Sequence, residues 1–398
     1  MLPCEDAPAV ATACTLLVPK HLIGHLMKRP IDYSKLSREE LIKRLKKYET
    51  IPSVASKSYR PFDFSNYPTK HVALKIAYFG WNYNGFASQI SYKPLKDMEN
   101  EKEEEGLVDR SVGVTTVEDV LFAALLKTRL VDNPRKCNYS RCGRTDSGVS
   151  STGQVVALTV RSSAKKGSSE SFDIPICQML NRTLPKEIRV LGWSRVPDEF
   201  NARFDCAGRE YKYFFSGLGL DILAMRKAAE MLVGIHDFRN FCRKDPSREI
   251  INYMRQIYNT EIVEEGEGMY HFRIHGSAFL YHQVRCTMEI LFLVGRGLEP
   301  PEVVSYMLDL ERCTERPKYE LASEIPLVLI KCHYPSKFSL QWNFEEVEKG
   351  RLGGEIFALQ RDMTVKAMTA NLLGDLITKE SPFKGKVNAK PIYPRYVA

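Results

Sequence analysis

The amino-acid sequence predicts an α+β protein with two mixed, mainly antiparallel sheet subdomains flanked by helices. Three observations carry that reading. Val72, Leu74, Ile76 and Tyr78 alternate with Ala73, Lys75 and Ala77, the period of a strand with one strongly apolar face. Tyr211, Tyr213 and Phe215 repeat the alternation in a second block, with Lys212 on the opposite face. Apolar helical runs lie between and after these blocks, and 398 residues are enough for two hydrophobic cores with helices packed on sheets.

Residues 1–69 read as an N-terminal extension. Its apolar run Ala9–Val18 follows Glu5 and Asp6 and stops at Pro19 and Lys20, too short for a membrane span and without the basic start of a signal segment. Ser37–Glu40 forms a capping box ahead of Leu41, Leu45 and Tyr48, one apolar stripe on a short basic helix. That helix either docks on the body or offers Lys43, Arg44, Lys46 and Lys47 to RNA, and the segment through Pro61 is a linker.

The first subdomain is expected over 70–202. After the strand at 72–78 come the aromatic turn Gly80–Phe86 and a charged insertion, Lys96–Asp109. A capping box at Thr115–Glu118 opens the helix carrying Val120, Leu121, Ala124, Leu125 and Leu130. A glycine-bounded turn at 141–148 precedes a strand over Gln154–Val160, and the polar stretch Ser162–Ser171 is a loop. The second subdomain, 203–335, holds the Tyr211–Phe215 strand, a helix over Leu223–Gly234, and strands near Ile257–Val263 and Tyr270–Ile274. A buried helix follows over Phe279–Gly295, then a short apolar strand at Pro326–Cys332. Residues 336–398 form a C-terminal extension with a polar run at Glu345–Gly350 and further packed elements at Ile356–Leu359 and Val365–Leu376. Lys384–Arg395 is either an extended basic arm or a solvated terminus.

Composition narrows the chemistry. Lys and Arg number 57 against 49 Asp and Glu, a net charge of +8 that suits an acidic partner such as RNA and is also common among soluble proteins. Ten cysteines are scattered without small-module spacing, which favours a reduced, intracellular chain over a disulfide scaffold. No phosphate-binding or dinucleotide glycine motif occurs. Cys137, Cys142 and the distant Cys332-His333 pair lack zinc-module spacing, and no carboxylate cluster suggests two-metal hydrolysis.

The octet Arg141-Cys142-Gly143-Arg144-Thr145-Asp146-Ser147-Gly148 sets one carboxylate among arginines and glycines just before a strand. Gly143 and Gly148 permit a sharp turn or close ligand approach, and Arg141 and Arg144 can grip phosphates or planar polar groups. Asp146 and Ser147 read equally as ordinary turn residues. Tyr211 beside Arg209 either stacks on a planar base or fills the core. Arg285, at the opening of an apolar helix, is costly to bury alone. Either Asp146 partners it, which typically lowers a carboxylate pKa by about 1–3 units, or it pairs elsewhere or reaches solvent.

On these residues the chain resembles the TruA-type pseudouridine synthases. Gly143-Arg144-Thr145-Asp146-Ser147-Gly148-Val149 matches the motif of the catalytic aspartate, with Arg144 two residues before it; Ser150 stands where the bacterial pattern has histidine. Tyr211 in Arg-Glu-Tyr-Lys-Tyr matches the active-site tyrosine, Arg285 in His-Gln-Val-Arg the arginine that pairs with the aspartate, and Leu327 the apolar residue below the base. The stretch resembling the family runs from about 70 to 333, and His236-Asp237-Phe238 fits it as well. Gly80–Gln89, Asn138–Cys142 and Ala278–Cys286 resemble the eukaryotic branch acting on tRNA positions thirty-eight and thirty-nine.

The resemblance implies a central RNA-binding cleft and a uridine-to-pseudouridine isomerisation with no metal or other cofactor. Asp146, Tyr211 and Arg285 would be catalytic, and Arg144, Arg141, Leu327 and His236 would bind substrate. Arg144 would fill the space left by a flipped uridine and Tyr211 would stack on the base, its phenol being a poor base unless perturbed. It further implies a tRNA partner, a homodimer, no membrane association, and a place in the nucleus or cytoplasm, organelle targeting remaining open. The competing expectation is a catalytically silent RNA-binding protein or tRNA chaperone, which would tolerate loss of Asp146.

Overall fold

The alternating apolar residues of β1 (Thr69–Tyr78) sink Val72, Leu74 and Ile76 into one core, while the small Ala73 faces a second layer on the other side. In this computed structural model the described residues are 62–88, 115–163, 174–244, 252–380 and 392–393. The basic helix expected at 37–48, the charged insertion at 96–109, most of the polar loop at 162–171 and nearly all of the basic arm at 384–395 lie outside them.

β1 pairs antiparallel with β3 (Ser150–Arg161) on one side and β4 (Ile188–Arg195) on the other, and the two-residue β2 (Ser140–Arg141) pairs with β3. In the second half β5 (Gly208–Ser216), β6 (Gly234–Asp237), β7 (Met254–Gly266) and β8 (Met269–Gly276) form antiparallel ladders, and β9 (Leu327–His333) pairs antiparallel with β5. The α+β class holds, with a difference in layout. The strands of the two halves join in one nine-stranded sheet of order β4-β1-β3-β9-β5-β8-β7-β6, with β2 beside β3. The seam is parallel and short, Ser150 opposite Val328 and Ser151 opposite Leu329. There the Ser151 hydroxyl donates to the Leu329 carbonyl at 2.8 Å.

Helices cover the sheet on the face that carries the large apolar residues. α1 (Val117–Lys127) and α2 (Ile176–Asn181) bury Leu121, Leu125 and Ile176 against β1 and Leu158. α3 (Ile222–Glu230), α4 (Gln283–Gly295) and α5 (Val303–Leu308) bury Met225, Met288, Leu291 and Val304 against Tyr213, Phe215 and Phe272. The capping box of α1 sits one residue later than expected: Thr116 Oγ1 accepts from the Asp119 amide and Asp119 accepts from the Thr116 amide. Glu118 is thereby freed to turn inward, where its carboxylate meets Arg141 and accepts from the Ser88 amide at 2.7 Å.

The segments at 356–359 and 365–376, expected as packed elements, belong to one long helix, α6 (Glu346–Glu380). Its start docks through buried Glu348 and Leu352 and through a 2.8 Å pair between Arg189 and Glu355. Farther along, Phe357, Met368 and Leu372 are exposed. No helix among the described residues is long and apolar enough to cross a membrane.

Candidate active site

The octet spans the connection from β2 back into β3 and closes against the aromatic turn at 80–86. Gly85 has φ +81°, and a Cβ there would come within 2.7 Å of the Thr145 carbonyl, so only glycine lets the turn approach this closely. Backbone bonds hold both sides of the acid: Phe86 N to Thr145 O at 3.2 Å and Gly148 N to Tyr83 O at 3.2 Å. The Tyr78 hydroxyl lies 2.8 Å from Thr145 Oγ1, and Gln154 Nε2 donates to Gly143 O at 2.9 Å. From the other half Arg209 donates to the carbonyls of Cys142 at 3.0 Å and Ser277 at 2.8 Å, tying the loop to the strands that carry Tyr211. The backbone on both sides of Asp146 is thus fixed by its neighbours before any ligand arrives.

It opens into a cleft of about 280 Å³ at the seam of the sheet, walled by the octet, β5, the start of β9 and the turn into α4. Asp146, Arg144, Arg141, Tyr211, Arg285 and Leu327 all line it. Arg144 is exposed, Leu327 is buried, and the Tyr211 ring meets Phe279 edge-on at 5.2 Å. Burial pushes the Tyr211 phenol well above its ordinary pKa. The phenol therefore stays neutral, which suits stacking and opposes a role as a base.

Three residues differ from their expected arrangement. Arg285 donates through Nη2 to Glu324 Oε2 at 2.8 Å and through Nε to the Ala322 carbonyl at 2.7 Å; no ion pair with Asp146 is among its contacts. The connection before β9 passes beneath the start of α4 and presents its own carboxylate. Arg141 spends its guanidinium on Glu118, buried at 2% exposure, so it braces the loop against α1 as well as lining the cleft. His236 lies on β6 at the sheet edge with Nε2 3.0 Å from the Val233 carbonyl. It is absent from the cleft lining, which takes its ladder partner Arg255 instead.

Residues that the sequence reasoning missed also meet here. His282 Nε2 stands 3.5 Å from Asp146 Oδ2, and Gln283 Oε1 accepts from the Leu280 amide at 2.8 Å, locking the turn that presents the histidine. The run Tyr-His-Gln-Val-Arg holds the signal, but the sequence alone points to a partner for its arginine only.

Comparison with known proteins places the chain in a family. A family model described as tRNA pseudouridine synthase matches residues 228–335. The chain is 41% identical over 340 residues to the tRNA pseudouridine(38/39) synthase of Bos taurus, covering 77% of this chain and 66% of that protein. For the protein of the same name from Homo sapiens the figures are 42% over 315 residues, 73% and 60%. Against that of Saccharomyces cerevisiae they are 39% over 343 residues, 84% and 73%. The chain thus spans about two thirds or less of the bovine and human proteins. Identity of this level across most of the yeast protein, together with the family model over 228–335, establishes that the chain belongs to the TruA-type tRNA pseudouridine synthase family.

Proposed function

We propose that this protein isomerises uridine to pseudouridine in the anticodon stem-loop of tRNA, with Asp146 as nucleophile. The observation that carries the proposal is one cleft in which a pinned aspartate faces a neutral tyrosine, an apolar floor and arginines. A uridine stacked in RNA hides its glycosidic bond, so the base must be flipped out at a cost of a few kcal/mol. Exposed Arg144 fills the vacated space and meets phosphate, Tyr211 stacks on the extracted uracil, and Leu327 excludes water below it. The Asp146 carboxylate displaces N1 from C1′, forming an ester bond as the C1′–N1 bond breaks; the freed uracil turns, C5 bonds to C1′ as that ester bond breaks, C5 releases its proton and N1 takes one up. Atoms balance within the nucleotide and water.

Positions 38 and 39 are the proposed targets, following the names of the relatives. We take the chain to act as a homodimer in the nucleus or cytoplasm, which sedimentation and imaging of the tagged protein would check. The decisive experiment compares wild type with Asp146→Ala on tRNA lacking the modification, reading pseudouridine by position-resolved mapping and RNA affinity separately. Loss of product with RNA binding retained is expected; normal product from the variant would sink the assignment. A wild type that binds RNA and makes no product would point to the silent RNA-binding alternative.

A further inference from the structure

We propose that His282 is a positioning residue for Asp146, a clamp that aims the nucleophile; the catalytic part of this inference rests on the function proposed above. Its Nε2 lies 3.5 Å from Asp146 Oδ2, with the histidine side chain 11% and the aspartate 24% exposed. At this depth, interactions between an imidazole and a carboxylate are screened less than in open water.

A second, independent observation comes from the backbone. His282 is the N-cap of α4 with φ 60° and ψ 11°, the left-handed region that a non-glycine residue adopts at a cost. The surroundings enforce it: the His282 carbonyl accepts from the Cys286 amide at 2.9 Å as α4 begins, and Gln283 bonds back to the Leu280 amide. This conformation lets the helix start inside the cleft wall and still turns the imidazole toward the octet. The ring plane is fixed too, because His282 stacks on Tyr281 with centroids 3.7 Å apart and planes 26° apart. Strain, stacking and helix start converge on one imidazole orientation, and that orientation ends at the carboxylate oxygen.

Arg285 lies one turn along the same helix and is occupied by Glu324, so of these two residues it is the histidine that faces the acid. With its Nε2 facing Oδ2, His282 restricts the carboxylate's rotation.

The test uses the full chain in two arms. His282→Gly keeps the left-handed backbone and deletes the ring, and His282→Asn keeps the backbone with a short amide donor. Single-turnover pseudouridine formation should fall by about 100-fold in His282→Gly, the scale of a misplaced reacting group, with RNA affinity retained. Free imidazole should restore part of the rate to His282→Gly and none to Asp146→Ala. In the second arm, ¹⁵N-histidine spectra of the folded protein should show the His282 ring-nitrogen signals shifting in Asp146→Asn. An unchanged rate in His282→Gly, or His282 signals unmoved by Asp146→Asn, overturns the inference. If wild type makes no pseudouridine, the functional proposal falls, while the spectra still decide whether the two side chains are coupled.

Discussion

Glu324 is the carboxylate that holds Arg285, at 2.8 Å, and the same side chain passes under Gly148. A Cβ on Gly148 would lie 2.5 Å from Glu324 Cγ, and its φ of +79° already favours glycine. The end of the octet, the start of β9 and the first turn of α4 therefore meet at one contact.

Glu324→Ala should cost about 1–2 kcal/mol, less than a fully buried pair because Glu324 is 37% exposed. Gly148→Ala should cost about 1–2 kcal/mol from its backbone alone, with the contact adding to it. Urea midpoints of both single variants and the double variant check this. Strictly additive losses would contradict the shared contact.

Arg141 neutralises a buried acid. Arg141→Ala should destabilise the fold by about 3–5 kcal/mol, since it strands Glu118 at 2% exposure, and adding Glu118→Gln should recover much of the loss. Burial already raises the Glu118 pKa against the pull of Arg141, so the folded state binds its proton more tightly than the unfolded chain does. Stability from such a group is present at low pH and lost as pH rises through the folded pKa. Thermal melts of Arg141→Ala should thus show a smaller deficit near pH 5 than near pH 8, and an equal deficit at both would count against the stranded acid.

The buried phenols predict the alkaline limit. Burial drives Tyr139 and Tyr211 well above their ordinary values and pushes Tyr213 up to about 12. A raised folded pKa keeps the proton on in the native state while the unfolded chain releases it near pH 10, so stability falls as pH climbs past that point. Melting temperatures between pH 9 and 11.5 should drop more steeply in wild type than in Tyr211→Phe. Catalysis by Tyr211→Phe should retain the stacking contribution, measured as single-turnover rate against Tyr211→Ala.

Helix capping offers a sharp local comparison. Thr116→Ala should cost about 1 kcal/mol, whereas Thr115→Ala should stay within about 0.5 kcal/mol. Denaturation midpoints separate the two residues, and a larger loss at Thr115 would contradict the cap.

Much of this was legible in the sequence where local patterns rule. The alternation at Val72–Tyr78 and Tyr211–Phe215 identified strands, and glycine-flanked Asp146 identified the loop that faces the cleft. The single sheet was not legible, because its seam is two register pairs between residues 178 apart, too brief to leave a periodic trace. Nor was Glu324 as the partner of Arg285: ion-pair choice depends on which connection passes beneath the helix, and residue type says only that a carboxylate is needed. α6 escaped because its exposed apolar residues lie on more than one side, mimicking separate packed pieces.

β9 stands in the middle of the sheet, between β3 and β5, yet it is the last strand among the described residues. During synthesis Asp146, Tyr211 and His282 all emerge before the residue that floors their cleft. Until Leu327–Leu329 arrives, the sheet lacks its β3–β9 pairing and the cleft its floor, so a nascent chain carries Asp146 without an enclosed site. The order of the strands thus makes the closing of the cleft wait on residues 327–329.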